Sequence, residues 1–342
     1  MPILVTGGAG FIGSHTCAEL LDLDQDIVVL DDFSNSYPAV LSALGRLTGK
    51  VPAIQPVDLR DWAALDRVFA SHEISVVIHF AAKKAVGESM TIPLDYFDVN
   101  VGGTINLLRA MRAHGVRKLV FSSSCSIYGD QYARPIREDD PPAPINPYAR
   151  SKLFCEQILE SACATYADLS VVSLRYFNPA GAHPSGVIGE CPRGVPSNVV
   201  PYMVGVAAGQ FEKLQVFGGD YRTPDGTAIR DYIHVMDVAQ AHRLAVEHLD
   251  DEPGIRALNL GTGTGASVLE LIDIFEQTCG VRVPYTITGR RPGDVTSLVA
   301  DANRIAVGWG WRPARDLAAI FADAWRFHQR NRDGFVGLPG PA

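Results

Sequence analysis

A doubly wound, Rossmann-type parallel α/β sheet with a smaller, closely packed C-terminal α/β lobe is the fold this sequence predicts, on three observations. Short apolar runs at residues 3–6, 27–30, 76–78, 119–121 and 171–174 are unbroken rather than alternating, as strands buried on both faces are. Stretches of helical period, such as 62–71 and 102–111, separate them, which is the signature of parallel strands joined by crossover helices. The first run leads into Gly7-Gly8-Ala9-Gly10-Phe11-Ile12-Gly13, so strand, glycine loop and helix follow one another directly.

At 342 residues the chain has room for about two domains. With 47% apolar and 20% charged residues it is an ordinary globular sequence, not a disordered, collagenous or coiled-coil one. Thirty basic against 38 acidic residues give a net charge of -8, so no global field favours a nucleic acid or an anionic membrane, and any phosphate must be bound locally. Cys17, Cys125, Cys155, Cys163, Cys191 and Cys279 are scattered, without a C-x-x-C pair or zinc-ligand spacing; they read as reduced, packed thiols, and no metal is expected. Met1 runs straight into Ile3-Leu4-Val5, with neither a basic leader nor an apolar stretch of membrane length, which predicts a cytoplasmic protein.

Taken in order, the run 3–6 and the glycine loop open a helix carrying Cys17, Leu20 and Leu21 on one face. The glycines let backbone approach a pyrophosphate, and the helix N-terminus supplies amides to bind it. The second run ends at Asp31-Asp32, where a carboxylate can accept hydrogen bonds from both hydroxyls of an adenosine ribose. No Arg occurs between 31 and 37 to receive a 2′-phosphate, which selects NAD over NADP. After the short run 53–57, Asp58 either reaches the adenine edge or caps the helix that starts at Trp62. The fourth run ends in Phe80-Ala81-Ala82-Lys83-Lys84, small enough for a cofactor to lie across the sheet's carboxyl edge.

Ser122-Ser123-Ser124 follows the run 119–121, and Pro147 marks the start of a helix near Tyr148. Tyr148 and Lys152 are four apart and share a face of that helix. A phenol titrates near pH 10, too high for a base at neutral pH, and a nearby ammonium plus a positively charged nicotinamide would lower it. After residue 176 the alternation loosens into loops over 179–201, followed by helices at 235–246, 268–279 and 317–329 and a buried strand at 257–260. Residues 1–176 therefore read as the NAD-binding domain with later segments contributing to it, 177–330 as a second lobe, and 331–342 as a disordered tail.

The dinucleotide loop, the strand-end serine and Tyr-x-x-x-Lys together form the pattern of the extended short-chain dehydrogenase/reductase superfamily. The segments 6–15, 85–89, 121–124, 175–179, 181–186 and 231–235 resemble the UDP-glucose 4-epimerase family within it. That resemblance implies that Tyr148 takes the proton from the sugar's 4-hydroxyl while carbon 4 passes a hydride to NAD. The 4-keto sugar turns over and recovers the hydride on its other face, interconverting UDP-galactose and UDP-glucose. Ser124 would bond the reacting oxygen, and Lys152 the nicotinamide ribose. Cofactor contacts implied are Gly7, Gly10, Phe11, Ile12 and Gly13, then Asp31, Asp32, Asn35 and Ser36, then Asp58, Leu59, Phe80, Ala81, Ala82, Lys84 and Phe177, besides Ser124, Tyr148 and Lys152.

For the UDP-sugar the resemblance implies Asn178 and Asn198 at the diphosphate-sugar, Phe217 beside uracil, and Arg230, Arg291 and Asp294 at phosphate and ribose. A homodimer formed through the helices 102–111 and 148–166 is also implied. Val99 stands where the family often has Asn, with Asn100 next to it, and Leu298 occupies the position that sets space for the substituent on sugar carbon 2. Leu298 is intermediate in size, so a 4-epimerase of UDP-N-acetylhexosamines, pentoses or uronates remains an alternative. A non-catalytic NAD sensor is disfavoured by the retained Tyr148 and Lys152. A 4,6-dehydratase is disfavoured by Ser124-Cys125-Ser126, where those enzymes carry Asp-Glu.

Overall fold

The computed structural model describes residues 1–130, 134–336, 338 and 340. Seven parallel strands form the central sheet: β1 (Ile3–Thr6), β2 (Ile27–Leu30), β3 (Ala53–Gln55), β4 (Val76–His79), β5 (Lys118–Ser124), β6 (Ser170–Tyr176) and β10 (Gly254–Leu260), in the order β10-β6-β5-β4-β1-β2-β3. The order reverses between β1 and β4, and a crevice at such a switch point is where open α/β sheets take their ligands. Every residue of β1, β2 and β4 is buried, which explains their unbroken apolar runs.

One face of the sheet is covered by α1 (Phe11–Asp22), α2 (Ala39–Thr48) and, from much later in the chain, α9 (Val235–Glu247). The opposite face packs against α3 (Trp62–Ser71), α6 (Gly103–Ala113) and α7 (Pro147–Thr165). Between β4 and α6 the short helices α4 (Val86–Ser89) and α5 (Pro93–Tyr96) run into a π-helical turn, Phe97–Gly102. The third apolar cluster belongs to the C-terminal lobe, where α8 (Val199–Ala207), α10 (Val268–Cys279) and α12 (Leu317–Arg330) enclose Met203, Leu271, Phe275 and Phe321.

That lobe contains more strand than its sequence predicts. β7 (Asn178–Ala180), β9 (Ile229–His234), β11 (Gly265–Ser267) and β13 (Ser297–Leu298) form one small sheet, and β8 (Leu214–Phe217) with β12 (Tyr285–Thr288) forms a parallel pair; α11 (Asn303–Trp309) precedes α12. Most of these strands are two to four residues long, and β12 is largely exposed, so none shows a readable apolar period.

Beyond α12 the expected disordered segment departs from its prediction over its first residues. Phe335 is 2% exposed, packed on Phe327, because the chain turns back on itself after Arg330. Residues 337, 339, 341 and 342 of that segment lie outside the described residues.

A buried ion pair ties α7 to the sheet. Arg175 on β6 donates through Nε and Nη2 to the two carboxylate oxygens of Glu156, at 3.0 and 2.6 Å. Ser173 Oγ adds a third donor at 2.8 Å. Removing one partner of such a pair strands a buried charge. Glu156→Ala is therefore expected to cost about 3–5 kcal/mol of stability in urea denaturation, and a loss below about 1 kcal/mol would show that the pair does not anchor the helix.

Candidate active site

The carboxyl ends of β1, β4, β5 and β6 converge on one crevice. Its floor is made of glycine because nothing else fits: a Cβ on Gly7, whose φ is +70°, would stand 2.7 Å from the Ala81 amide nitrogen, and one on Gly13 would collide with the Gly7 carbonyl. Helix α1 therefore starts against the sheet, and Gly10 at its N-cap offers no side-chain partner to the first-turn amides. Phe80 and Ala81 cross above, their amides donating to the Thr6 carbonyl at 2.9 and 3.1 Å.

Asp31 closes the adenosine end. Its carboxylate accepts from the amides of Ala9 and Phe33, both at 3.0 Å, and from Ser36 Oγ at 2.7 Å. Burial raises its pKa, against the pull of these three donors. Two carboxylate oxygens offer about four acceptor positions, so one is left for a ribose hydroxyl. Asp32 instead bonds the Ser34 amide and hydroxyl at the surface.

Asp58 does not cap the helix beginning at Trp62; Asp61 does, accepting from the Ala64 amide at 3.0 Å. Asp58 is gripped by Arg60, which also reaches Asp98, and that guanidinium holds the Asp58 carboxyl below its usual range. The Leu59 side chain is buried in the core cluster beneath α3 and α6, and its carbonyl accepts from the Asn106 side chain at 3.1 Å.

β5 extends through the serines, placing Ser124 opposite Tyr176 of β6. Ser124 caps a 3-10 turn, Cys125–Tyr128, accepting from the Ser126 amide at 3.2 Å. α7 begins at Pro147, with Asn146 accepting from the Ala149 amide at 2.8 Å, so Tyr148 and Lys152 emerge on its buried face as predicted. Burial pushes the Tyr148 phenol up to about 12, against a smaller lowering by the neighbouring Ser124 hydroxyl.

Lys152 lies one turn further along the same buried face of α7. Lys152 Nζ donates to the Ser122 carbonyl at 2.7 Å and lies 5.0 Å from the Phe121 ring centroid, and burial brings its own pKa down to about 8. A positively charged nicotinamide, once bound, would join the ammonium in lowering the phenol.

His79 between Thr6 and Thr104, at 2.7 and 3.0 Å, is buried with its pKa pulled down to about 3, a neutral brace for the strand ends. Asn100 is a second brace: its side chain accepts from the Lys83 amide at 2.8 Å and donates to Ser151 Oγ of α7 at 2.8 Å. It thus links the chain after β4 to α7, an office that Val99 has no polar atom to perform.

On the lobe side, the Asn178 side-chain oxygen is buried without a hydrogen-bond partner among the described residues. Such an atom is costly unless something polar meets it. Asn198 donates to Glu190 Oε1 at 3.0 Å, and Lys84 reaches the same oxygen at 3.1 Å. Arg291 forks onto Asp294 at 3.1 and 2.9 Å and lies 5.4 Å from the Phe217 ring centroid. Arg230 donates to the carbonyls of Ile229 and Val295, and pairs in register with Leu298 of β13. Leu298 is packed with Cys125, Val295 and Phe177 in a small apolar cluster.

Three residues with no role predicted from sequence bear on the geometry of the crevice. Glu156 follows Lys152 by four positions, and a charge on the buried stripe Tyr148, Lys152, Cys155, Glu156 was a signal that it is paired inside. Arg175 lay within a recognised segment without a role. Arg193 arrives from far along the chain to bond the Ser36 carbonyl, so the search for an Arg confined to 31–37 could not find it; its Nε and Nη2 are spent on that carbonyl.

These features fit a dinucleotide: a glycine cradle that a Cβ would fill, a buried carboxylate after β2, and a Lys and Tyr on one helix face. Among the described residues no helix is long and apolar enough to cross a membrane.

Comparison with known proteins gives a consistent answer. The profile of the NAD dependent epimerase/dehydratase family matches residues 3–261. The UDP-glucose 4-epimerase of Bacillus subtilis is 50% identical over 335 residues, 98% of this chain and 99% of that protein. A UDP-glucose-4-epimerase from Stenotrophomonas maltophila, solved with bound NAD and formylated UDP-arabinopyranose, superposes with a TM-score of 0.94 at 49% identity, covering 97% of this chain and 99% of the other. The Bifidobacterium longum UDP-glucose 4-epimerase, in complex with NAD+ and UDP, gives 0.96 at 45% identity over 98% of this chain and all of the other (100%). The chain therefore belongs to the NAD-dependent epimerase/dehydratase family.

Proposed function

We propose that this chain interconverts UDP-galactose and UDP-glucose, and that the observation carrying this reading is Tyr148 and Lys152 on the buried face of α7, with Ser124 at the end of β5 and the glycine cradle at the carboxyl edge of the same sheet. When bound, NAD would supply the hydride acceptor for sugar carbon 4 and a positive charge. Gly7, Gly10, Phe11, Ile12 and Gly13 would hold its pyrophosphate, Asp31 its adenosine ribose and Lys152 its other ribose. Asp32, Asn35, Ser36, Asp58, Leu59, Phe80, Ala81, Ala82, Lys84 and Phe177 complete its envelope.

Tyr148 takes the proton of the 4-hydroxyl and later returns one to the same oxygen; Ser124 orients that oxygen. Asn178, Asn198 and the Arg230, Arg291 and Asp294 group hold the UDP portion while the sugar presents either face, with Phe217 against the base. Arginine suits this work because its planar fork matches phosphate oxygens. Leu298, walled in with Phe177, bounds the space at sugar carbon 2. Residues 1–176 serve the cofactor and 177–330 the nucleotide sugar.

We place the reaction in the cytoplasm, in keeping with six free cysteines. We infer a homodimer as well: Met90, Leu94 and Phe154 are exposed around α5 and α7, with Phe97 stacked on Phe154. Apolar surface left open on two neighbouring helices calls for a partner face.

Purified protein is expected to convert either UDP-hexose to the other without added reductant, and Tyr148→Phe to lower turnover by about 10²–10⁴-fold while NAD stays bound. Assaying both UDP-hexoses beside both UDP-N-acetylhexosamines checks this; no turnover of either hexose refutes it. Acid denaturation of fresh protein will release NAD or NADH in near-stoichiometric amount, and recovery of NADP instead would contradict the role given to Asp31. In gel filtration the chain will run as a dimer and Leu94→Glu/Phe154→Glu as a monomer; an unchanged dimer would move the interface elsewhere.

A further inference from the structure

The segment 179–201, read from sequence as loops, contains a short hairpin closed by the antiparallel bridge between Ala182 and Gly189, and its tip is held by α12 and the residue that follows it: Arg326 donates to the Pro184 carbonyl, and Asn331 to that of Gly186, both at 2.9 Å. The four residues after the bridge, 190–193, are fastened at three separate places.

Glu190 leads. One of its carboxylate oxygens accepts from both Lys84 and Asn198, so it sits at the junction of the proposed cofactor and nucleotide-sugar contacts. Cys191 comes next and takes the Phe335 amide on its sulfur at 3.5 Å, pinning the returning C-terminal segment. Arg193 is the last of the four, at the adenosine end. Its Nε and Nη2 donate to the Ser36 carbonyl at 3.1 and 2.9 Å, its amide to Asn35 Oδ1 at 3.4 Å, and its guanidinium carbon lies 4.6 Å from the Tyr37 ring centroid. Ser36 in turn bonds Asp31.

We propose that residues 190–193 form a strap that retains the dinucleotide, with Arg193 as its clasp on the adenosine half. Four residues in extended form reach about 10 Å, enough to link two neighbouring sites but not to slacken without releasing an anchor. Dissociation of the cofactor then requires the Arg193 fork and the Tyr37 stack to break first, which places their effect in the off-rate. An enzyme that regenerates its cofactor in each cycle gains from slow release, since nothing needs to exchange between turnovers.

The inference rests on the proposed NAD site, and the test separates the two. Holoenzyme cleared of free dinucleotide is diluted, and NAD appearing in the filtrate is followed with time. Arg193→Ala is expected to release NAD about tenfold faster, the scale of losing one charged hydrogen-bonding partner. Arg193→Lys, which keeps the charge but not the fork, should recover only part of the retention, and Tyr37→Ala should shift release in the same direction. Excess NAD should restore turnover of the diluted variants. An unchanged release rate in Arg193→Ala overturns the proposal. So does faster release accompanied by a lower Tm in saturating NAD, which would mark general loosening rather than an unfastened clasp. A parent chain that yields no dinucleotide on acid denaturation fails the cofactor reading and the strap with it, and is recognised before any variant is compared.

Discussion

The fork between Arg175 and Glu156 is the contact on which the geometry of the site depends. It lies one turn beyond Lys152 on α7, and the same guanidinium donates to the Tyr128 hydroxyl at 2.9 Å, at the end of the turn that Ser124 caps. Tyr128 continues to Asn259 of β10 at 2.8 Å. One buried charge pair thus sets α7 against β6 and fixes the serine turn relative to the helix that carries Tyr148. Burying both charges is expensive, and the arrangement is sustained because each remaining donor and acceptor finds a partner.

That network is polar, and polarity is what the sequence reports least well. The strands β1, β2 and β4 were legible because burial on both faces makes them uniformly apolar. β5 was legible only as far as Phe121; its continuation through Ser122–Ser124 is buried by pairing with β6, which no hydrophobic period reveals. Tyr148 and Lys152 could be placed on one face from spacing alone, and the structure puts them there. What the spacing does not show is the partner of the ammonium: Nζ donates to the Ser122 carbonyl, a residue 30 positions away.

Long-range contacts were illegible for a related reason. Asp58 stood as either a cofactor contact or a helix cap, and the cap went to Asp61, three residues on. Arg193 reaches Ser36 across 157 positions, and Phe335 returns to Cys191 across 144. Composition sees neither. The net charge of -8 likewise describes the chain as a whole and not the local field of one crevice.

The central claim is that Tyr148 handles only the proton on oxygen while the hydrogen on carbon 4 never meets water, because the crevice keeps the cofactor and sugar together through the whole cycle. Epimerisation of UDP-glucose deuterated at carbon 4 tests this most directly. The account predicts that the UDP-galactose formed retains the deuterium at carbon 4 in full; loss of the label to solvent would contradict it.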